Sequence, residues 1–403
     1  MGLGYIGLPT ALISTSSTYK VTGFDIDKNK VDELNSGKYL FDEQDIQSLY
    51  DQLIESNSIA FSNKITESDI FVIAVPTPIK TDKSADLSYV ENAIDLIIPL
   101  LKKDNLIILE STCPVGTSEL MIKRIIKKRD DLKNESNIDF KFCYCPERIL
   151  PGDTLNELIN NDRVIGGNTK EASMDAVHFY KSFIDAKTNV VDLRTAEMSK
   201  LIENSYRDVN IAFANEIMRL AKHNQVDHKE LIEAANKHPR VNILKPGPGV
   251  GGHCIAIDPW FLATDDNGIC NIITSARKIN DEQPNYVFNL IKNCIEKTNP
   301  KSILFAGLSY KKNSSDVRES PSLKIADMIF RSYKDIELIF FDPFITKNDI
   351  KFNLIKDSFH NKIEDIQNLD LSMIIKSVDH DYFGKNRAFQ EILLKVNNIF
   401  DIS

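Results

Sequence analysis

Followed by the period of its apolar positions, the chain changes character twice. Its first half alternates short apolar runs with amphipathic stretches: after a glycine-rich opening, "LPTALISTSS" reads as a short helix and "YKVTGFDID" as a β-strand ending in an acid. "DIFVIAVPTP" (Asp69 to Pro78) and "NLIILESTCPVG" (Asn105 to Gly116) are continuously apolar and end in small polar residues, as strands buried on both faces of a parallel sheet do. "FKFCYCPERILPG" follows the same pattern. From Thr195 to about Lys222 the chain holds no proline or glycine and repeats its apolar residues at helical spacing, which predicts a long helix with Thr195 as its N-cap. Helical sequence continues to about Asn299, interrupted by "KPGPGVGGHC". Strands then return in "SILFAGLSY" and "IELIFFDP", which bracket another helix, and in "LSMIIK". The order is α/β, then mostly α, then α/β again, with domains expected at residues 1–193, 194–298 and 299–403.

A length of 403 residues agrees with several cores rather than one. The chain is 42% apolar and 27% charged, as soluble globular proteins are. No apolar run reaches the roughly 18 to 20 residues of a membrane helix and no leader is visible, so a cytoplasmic protein is expected. A net charge of -9 argues against nucleic acid or an anionic membrane as the main partner, while leaving room for a small anion held by local cations. The six cysteines lack C-x-x-C spacing and read as reduced thiols. Five of them, Cys113, Cys143, Cys145, Cys270 and Cys294, are expected to be buried, and Cys254 stands apart.

Chemistry concentrates at a few places. The opening "MGLGYIG" carries the G-x-G-x-x-G turn that receives a dinucleotide pyrophosphate, and Asp25, 23 residues after Gly2, stands where a carboxylate accepts hydrogen bonds from the ribose. In "GPGVGGHCIAIDPW" the glycine density lets backbone amides approach a ligand, with Cys254 placed to attack a bound carbon. The alternative is a turn with a packed cysteine and a helix-capping Asp258. Lys200, Asn204 and Arg207 line one face of the long helix, either as a solvated stripe or as a site wall where a lysine steadies an oxyanion. Thr112 and Glu147 stand at strand ends, where ligands bind in open α/β sheets. "GLSYKKNSSDVRESPS", with Lys311 and Arg318, is either a solvated loop or a phosphate-binding turn opening into a helix at Pro321.

Together these residues resemble the nucleotide-sugar 6-dehydrogenases, the UDP-glucose and UDP-N-acetylhexosamine dehydrogenase family. The resemblance runs from Gly2 to at least Pro343 through the ordered set GLGYIG, VPTP, ESTCPVGT, CPER, AEMSKLIEN, PGPGVGGHC and GLSYK…DVRESP. Within the family, "CPERILPG", "NDRVIGG", "NSYRDVNIAFANE" and "HPRVNILKPGPGVGGHCIAIDPWF" look most like the branch acting on UDP-N-acetyl-D-mannosamine, ahead of those acting on UDP-N-acetylglucosamine or UDP-glucose. The resemblance implies an N-terminal NAD-binding Rossmann domain, a central helical dimerisation domain and a C-terminal Rossmann-like domain that binds the UDP-sugar. The implied reaction is a four-electron oxidation of a primary alcohol to a carboxylate by two NAD, for bacterial surface polysaccharide synthesis.

By motif position, the resemblance makes Cys254 the thiolate that forms a thiohemiacetal and then a thioester, with Lys200 steadying the oxyanions. It has Asp258 and Thr112 holding or activating a water, and Glu147 serving hydrolysis. NAD would meet Gly2, Gly4, Tyr5, Ile6, Gly7, Asp25, Thr77, Thr112 and Arg318. The UDP-sugar would meet Arg148, Ile149, Lys200, Asn204, Arg207, His238, Arg240, Gly251 and Lys311, with a homodimer expected and Arg240 reaching the neighbouring subunit.

Two departures stand out. After the P-E-R triplet the chain reads "ILPGD", without the second glutamate of the UDP-glucose branch. The strand that precedes G-x-G-x-x-G in the family, central in a 3-2-1-4-5-6 sheet, has only Met1 at its last position. Five buried apolar side chains would contribute on the order of 10 kcal/mol, so the native chain is expected to begin upstream. An inactive UDP-sugar-binding protein crippled by that loss would bind sugar nucleotide without reducing NAD. A single-oxidation enzyme of the 6-phosphogluconate dehydrogenase type would lack the α/β unit after Asn299.

Overall fold

A computed structural model describes all residues except 18, 42, 134–137, 150–151, 265–267, 351–352 and 403. The chain divides into two compact units, Met1–Glu203 with Trp260–Asp265, and Asn204–Pro259 with Asp266–Ser403.

The first unit is α/β. Strands β1 (Val21–Phe24) and β2 (Ile59–Ser62) form a two-stranded parallel sheet. Strands β3 (Ile70–Ile73), β4 (Leu106–Leu109), β5 (Lys141–Tyr144), β6 (Arg163–Gly167) and β7 (Thr188–Asp192) form a second sheet in that order, parallel except between β5 and β6. Every residue of β4 is buried, as its uninterrupted apolar run requires. Strands β2, β6 and β7 were not legible as separate runs: β2 has four residues, and β7 is half-exposed with a mixed pattern.

Met1 and Gly2 join the two sheets. The Met1 ammonium donates to the Val72 carbonyl at 2.7 Å, Ala74 N–H donates to the Met1 carbonyl at 2.9 Å, and Gly2 N–H to the Phe24 carbonyl at 2.9 Å. Among the described residues β1 pairs only with β2, and β3 only with β4. A cavity of about 520 Å³ lies between β1 and β3, lined by Thr10, Ser14, Tyr19, Val21, Ile70 and Val72 among others.

The long helix is Leu193–His223, starting two residues before the predicted cap. Thr195 is not that cap. Asp192 takes the role, accepting from Thr195 N–H at 2.9 Å and from its hydroxyl at 2.5 Å, because a carboxylate ahead of the first turn meets the unpaired amides.

In the second unit the helices His228–Ala235 and Asn271–Thr298 accompany a five-stranded parallel sheet. Its order is β10 (Phe359–His360), β9 (Glu337–Phe341), β8 (Ser302–Ala306), β11 (Met373–Lys376), β12 (Asn398–Asp401). The chain leaves β8 toward β9 on one side and returns to β11 on the other, so the ends of β8 and β11 form a topological switch point. A core of Ile303, Phe305, Leu323, Phe340 and Met373 packs one face of this sheet. Cys113, Cys143 and Cys145 are buried, whereas Cys270 and Cys294 are only half-buried, on the two ends of the helix Asn271–Thr298 where solvent reaches them.

Candidate functional site

In the first unit the glycine turn runs directly into the helix Gly7–Ser16. Gly2 has φ +83°, and a Cβ there would stand 2.6 Å from the Ala74 carbonyl oxygen, so only glycine fits. A Cβ on Gly7 would collide with the Gly2 carbonyl at 1.9 Å. Around Gly4, by contrast, the space a Cβ would enter is open to 4 Å. The exposed Gly4 and Tyr5, with half-buried Ile6, thus form a turn whose backbone a ligand can approach, at the start of a helix where amides favour an anion. Asp25 follows β1 and accepts from Leu3 N–H at 2.8 Å, which ties its carboxylate to the glycine turn. The Tyr5 hydroxyl lies 2.5 Å from that of Thr154, whose backbone N–H is held by Glu43 at 2.6 Å.

The ends of β3 and β4 meet. Thr77 donates to the Thr112 carbonyl at 2.6 Å, and Ser111 to the Val75 carbonyl at 2.7 Å. Glu197, on the long helix, accepts from Gly116 N–H at 2.5 Å and Ser118 N–H at 2.7 Å, capping the helix Thr117–Lys128 that follows.

Glu147, past β5, is 7% exposed and pairs with Arg163 Nη1 at 2.8 Å while accepting from Arg148 N–H at 2.6 Å. The Arg148 guanidinium pairs with Glu203 and donates to the Asp162 carbonyl, and Ile149 is buried beside it in sequence. Leu150 and Pro151 of this motif lie outside the described residues. Lys200 is half-buried on the helix.

In the second unit the glycine-rich segment is clamped from both sides. Gly247 N–H donates to Asn215 at 3.0 Å, and its carbonyl accepts from Gln283 at 3.0 Å. Asn215 bonds Asn280, which bonds Asp208, which pairs with the fully buried Arg277 at 2.5 Å. Gly252 has φ +79° and lies so near Tyr310 that a Cβ would stand 2.9 Å from the phenol ring. On Gly251 a Cβ would stand 2.5 Å from Tyr310 Cβ. The chain then turns at Cys254, whose carbonyl accepts from Ile257 and Asp258 N–H at 3.0 and 2.9 Å to open the helix Asp258–Ala263.

Cys254 is exposed, which removes the packed-cysteine alternative. Asp258 is buried and accepts from Asn204 Nδ2 at 2.6 Å, joining two of the predicted residues. Arg207 is exposed and near enough to Tyr310 for its charge to act on the phenol, which burial pushes above its ordinary value. Arg318 is paired twice with Asp316, which holds its guanidinium above the ordinary range; burial pushes Asp316 up, and Arg318 outweighs it and holds it below the usual value. Arg318 also passes its backbone carbonyl to Gly252 N–H at 2.9 Å. Lys311 follows β8 at the switch point, exposed. His238 and Arg240 lie on an exposed loop whose ends Asn236 and Ile243 bond each other at 2.7 and 2.9 Å.

Arg163, Tyr310, Asn215 and Gln283 were missed by sequence reasoning. Only the first residue of β6 in "NDRVIGG" carried any signal, an arginine opening an otherwise apolar strand.

Residues 1–184 match the NAD binding domain of the UDP-glucose/GDP-mannose dehydrogenase family, residues 194–282 its central domain, and residues 304–403 its UDP binding domain. The UDP-N-acetyl-D-mannosamine dehydrogenase of Escherichia coli K12 is 45% identical over 341 residues, covering 82% of this chain and 81% of its own. A protein of the same name from Methanococcus vannielii is 40% identical over 407 residues, covering 99% and 90%. The solved UDP-D-ManNAc dehydrogenase of Pyrococcus horikoshii superposes with a TM-score of 0.88 at 35% identity, covering 99% of this chain and 93% of its own.

Proposed function

Because the chain belongs to the UDP-glucose/GDP-mannose dehydrogenase family, we propose that it oxidises the C6 alcohol of UDP-N-acetyl-D-mannosamine to the carboxylate. The relatives' names support the sugar. The observation that carries the four-electron chemistry is an exposed cysteine on a loop fixed by Tyr310, Asn215 and Gln283, since a two-electron dehydrogenase needs no such nucleophile.

In balance, one alcohol, one water and two NAD yield one carboxylate, two NADH and three protons. The glycine turn would hold NAD, with Asp25 on its ribose, and the cofactor would supply the hydride acceptor for each half; a carboxylate there would repel the 2′-phosphate of NADP. Cys254 Sγ adds to the aldehyde carbon as the carbonyl π bond opens, and the Lys200 ammonium steadies the alkoxide. Loss of the second hydride leaves a thioester. Asp258 and Thr112 hold the water, Glu147 takes its proton as it attacks, and the C–S bond breaks to return the thiolate. Arg148, Ile149, Asn204, Arg207, His238, Gly251 and Lys311 bind the sugar nucleotide, and Arg318 reaches the cofactor.

We assign residues 1–193, 194–298 and 299–403 to cofactor, dimerisation and UDP-sugar domains. Tyr206, Phe213 and Leu220 are 69%, 52% and 55% exposed at seven-residue spacing on the long helix, an apolar seam suited to a homodimer in which Arg240 serves the partner's site. The cytoplasm supplies NAD, UDP-sugars and a reducing environment for the six thiols. A uronate of this kind suits surface polysaccharide synthesis.

The test is NADH formed per sugar at completion, with sedimentation of the same sample reading the dimer. Two NADH from UDP-N-acetylmannosamine, and little from UDP-N-acetylglucosamine or UDP-glucose, is expected. Cys254→Ala should abolish net turnover with sugar affinity kept. One NADH per sugar, or full turnover in C254A, removes the thioester route.

A further inference from the structure

We propose that Glu110 is a positioning residue for the hydrolytic half-reaction: through Tyr180 and Arg163 it sets the charge felt by Glu147, so that the reactivity of Glu147 toward water follows the proton on Glu110. This rests on the reading of Glu147 as the hydrolysis carboxylate.

Glu110 and Glu147 follow the neighbouring parallel strands β4 and β5, so the fold brings two acids to the same end of one sheet. Arg163 opens β6, and Tyr180 stands on the helix Lys170–Lys181 that follows it. All four are buried, at 2%, 7%, 3% and 0% exposure. Arg163 Nη1 donates to Glu147 Oε2 at 2.8 Å, and its guanidinium carbon lies 4.6 Å above the Tyr180 ring. The Tyr180 hydroxyl in turn donates to Glu110 Oε1 at 2.7 Å. Glu110 Oε2 and Arg163 Nε have no hydrogen-bond partner among the described residues.

Two buried carboxylates here share one guanidinium, and a second uncompensated charge is costly at such depth. Glu110 gives way, because Glu147 has the direct ion pair and Glu110 has only a phenol. Burial, then repulsion from Glu147, pushes Glu110 up to about 7, against the pull of Arg163, Tyr180 and the Met1 ammonium. Of the other groups facing it, burial pushes the Cys145 thiol up to about 11 and the Met1 ammonium down to about 6. Tyr180 is pushed well above its usual value by burial, so it stays a donor. With Glu110 protonated, the Arg163 charge acts on Glu147 alone and weakens it as a base. With Glu110 ionised, a second negative charge competes for Arg163, and Glu147 accepts a proton from water more readily. Nothing in this chain requires a new covalent step; it adjusts the one already assigned to Glu147.

The experiment is single-turnover release of the uronate from the enzyme in excess over sugar, at pH values from about 5.5 to about 8.5, on both sides of the Glu110 value of about 7. In the native protein the rate should rise several-fold across that midpoint. E110Q should hold the low-pH rate throughout, with KM for sugar and NAD within about twofold of native. Y180F removes a donor that favours the ionised form, so it should move the midpoint upward without touching the Met1 ammonium. A native profile without the rise, or an E110Q profile that keeps it, overturns the proposal. If E110Q does not fold, the Y180F midpoint decides alone. E147Q should be slow at every pH; native rates in E147Q would instead overturn the reading of Glu147 on which this one rests.

Discussion

Two arginines are sealed inside this protein, one in each unit, and they put the same chemistry to different ends. Arg163 and Arg277 have side chains 4% and 1% exposed, each pairs with a buried carboxylate, and each leaves its Nε without a hydrogen-bond partner among the described residues. Arg277 is boxed by Asp208 and Asp281, and its network ends on a backbone carbonyl and amide, those of Gly247. Arg163 serves Glu147, a carboxylate at a strand end where ligands bind. A buried ion pair contributes little net stability on average, yet removing one partner strands the other charge. The pair in the second unit therefore reads as scaffolding for the cysteine loop, and the pair in the first as a clamp that fixes the orientation of the Glu147 carboxylate at the strand end.

That contrast breaks most sharply under truncation of the carboxylates. Asp208→Ala should cost about 3 to 5 kcal/mol in denaturant unfolding by leaving the buried Arg277 only the half-exposed Asp281 and Asn280 without its carboxylate acceptor, while turnover per folded molecule stays near native. Glu147→Ala should cost a similar amount and abolish turnover as well. Equal retention of turnover in both variants would erase the distinction between the two pairs.

A smaller effect separates the pairs by pH. Glu110 has an unfolded-state value near 4.5 and a folded value of about 7, so between these the unfolded chain binds fewer protons than the folded one and stability falls as pH rises. The loss is fully present above the folded value and amounts to about 3 kcal/mol. E110Q should therefore be more stable than native at pH 8 and close to native at pH 4, by chemical denaturation. A pH-independent difference would mean that the acid contributes through shape alone.

Smallest is the change at the loop the second pair supports. Gly252→Ala should destabilise by about 1 to 3 kcal/mol, since φ +79° is strained for an L side chain and the methyl meets Tyr310. Differential scanning calorimetry and KM for the sugar nucleotide should move together; a shift in melting alone would detach the loop from binding.

How much of this was legible beforehand follows from what local sequence can encode. The glycine turn, the strands around Asp25, Thr112 and Glu147, and the helix opening at Pro321 announce themselves within about ten residues, because periodicity and turn chemistry are local. Arg163 looked like one charge in a short strand; its meaning depends on β6 running antiparallel beside β5, which brings Gly167 opposite Cys143. Asp208 and Arg277 are 69 residues apart in sequence, and nothing near either one announces the other. Thr195 had the right chemistry for a cap and lost to Asp192 by three positions, a margin finer than propensity resolves. The clamp on Gly247 likewise comes from Asn215 and Gln283, 32 and 36 residues away in sequence, which the glycines themselves do not announce.

The joint that Met1 and Gly2 make between the two sheets of the first unit has a bearing on how the molecule opens. Among the described residues, three backbone hydrogen bonds carry the pairing there, beside a cavity of about 520 Å³. Through them, and through Leu3 N–H on the Asp25 carboxylate, the backbone of the glycine turn ties the layer that holds β1, β2 and Asp25 to β3. Since that turn belongs to the NAD binding domain, a ligand that binds it only when it is folded stabilises the whole layer by mass action, and melting should rise with cofactor concentration.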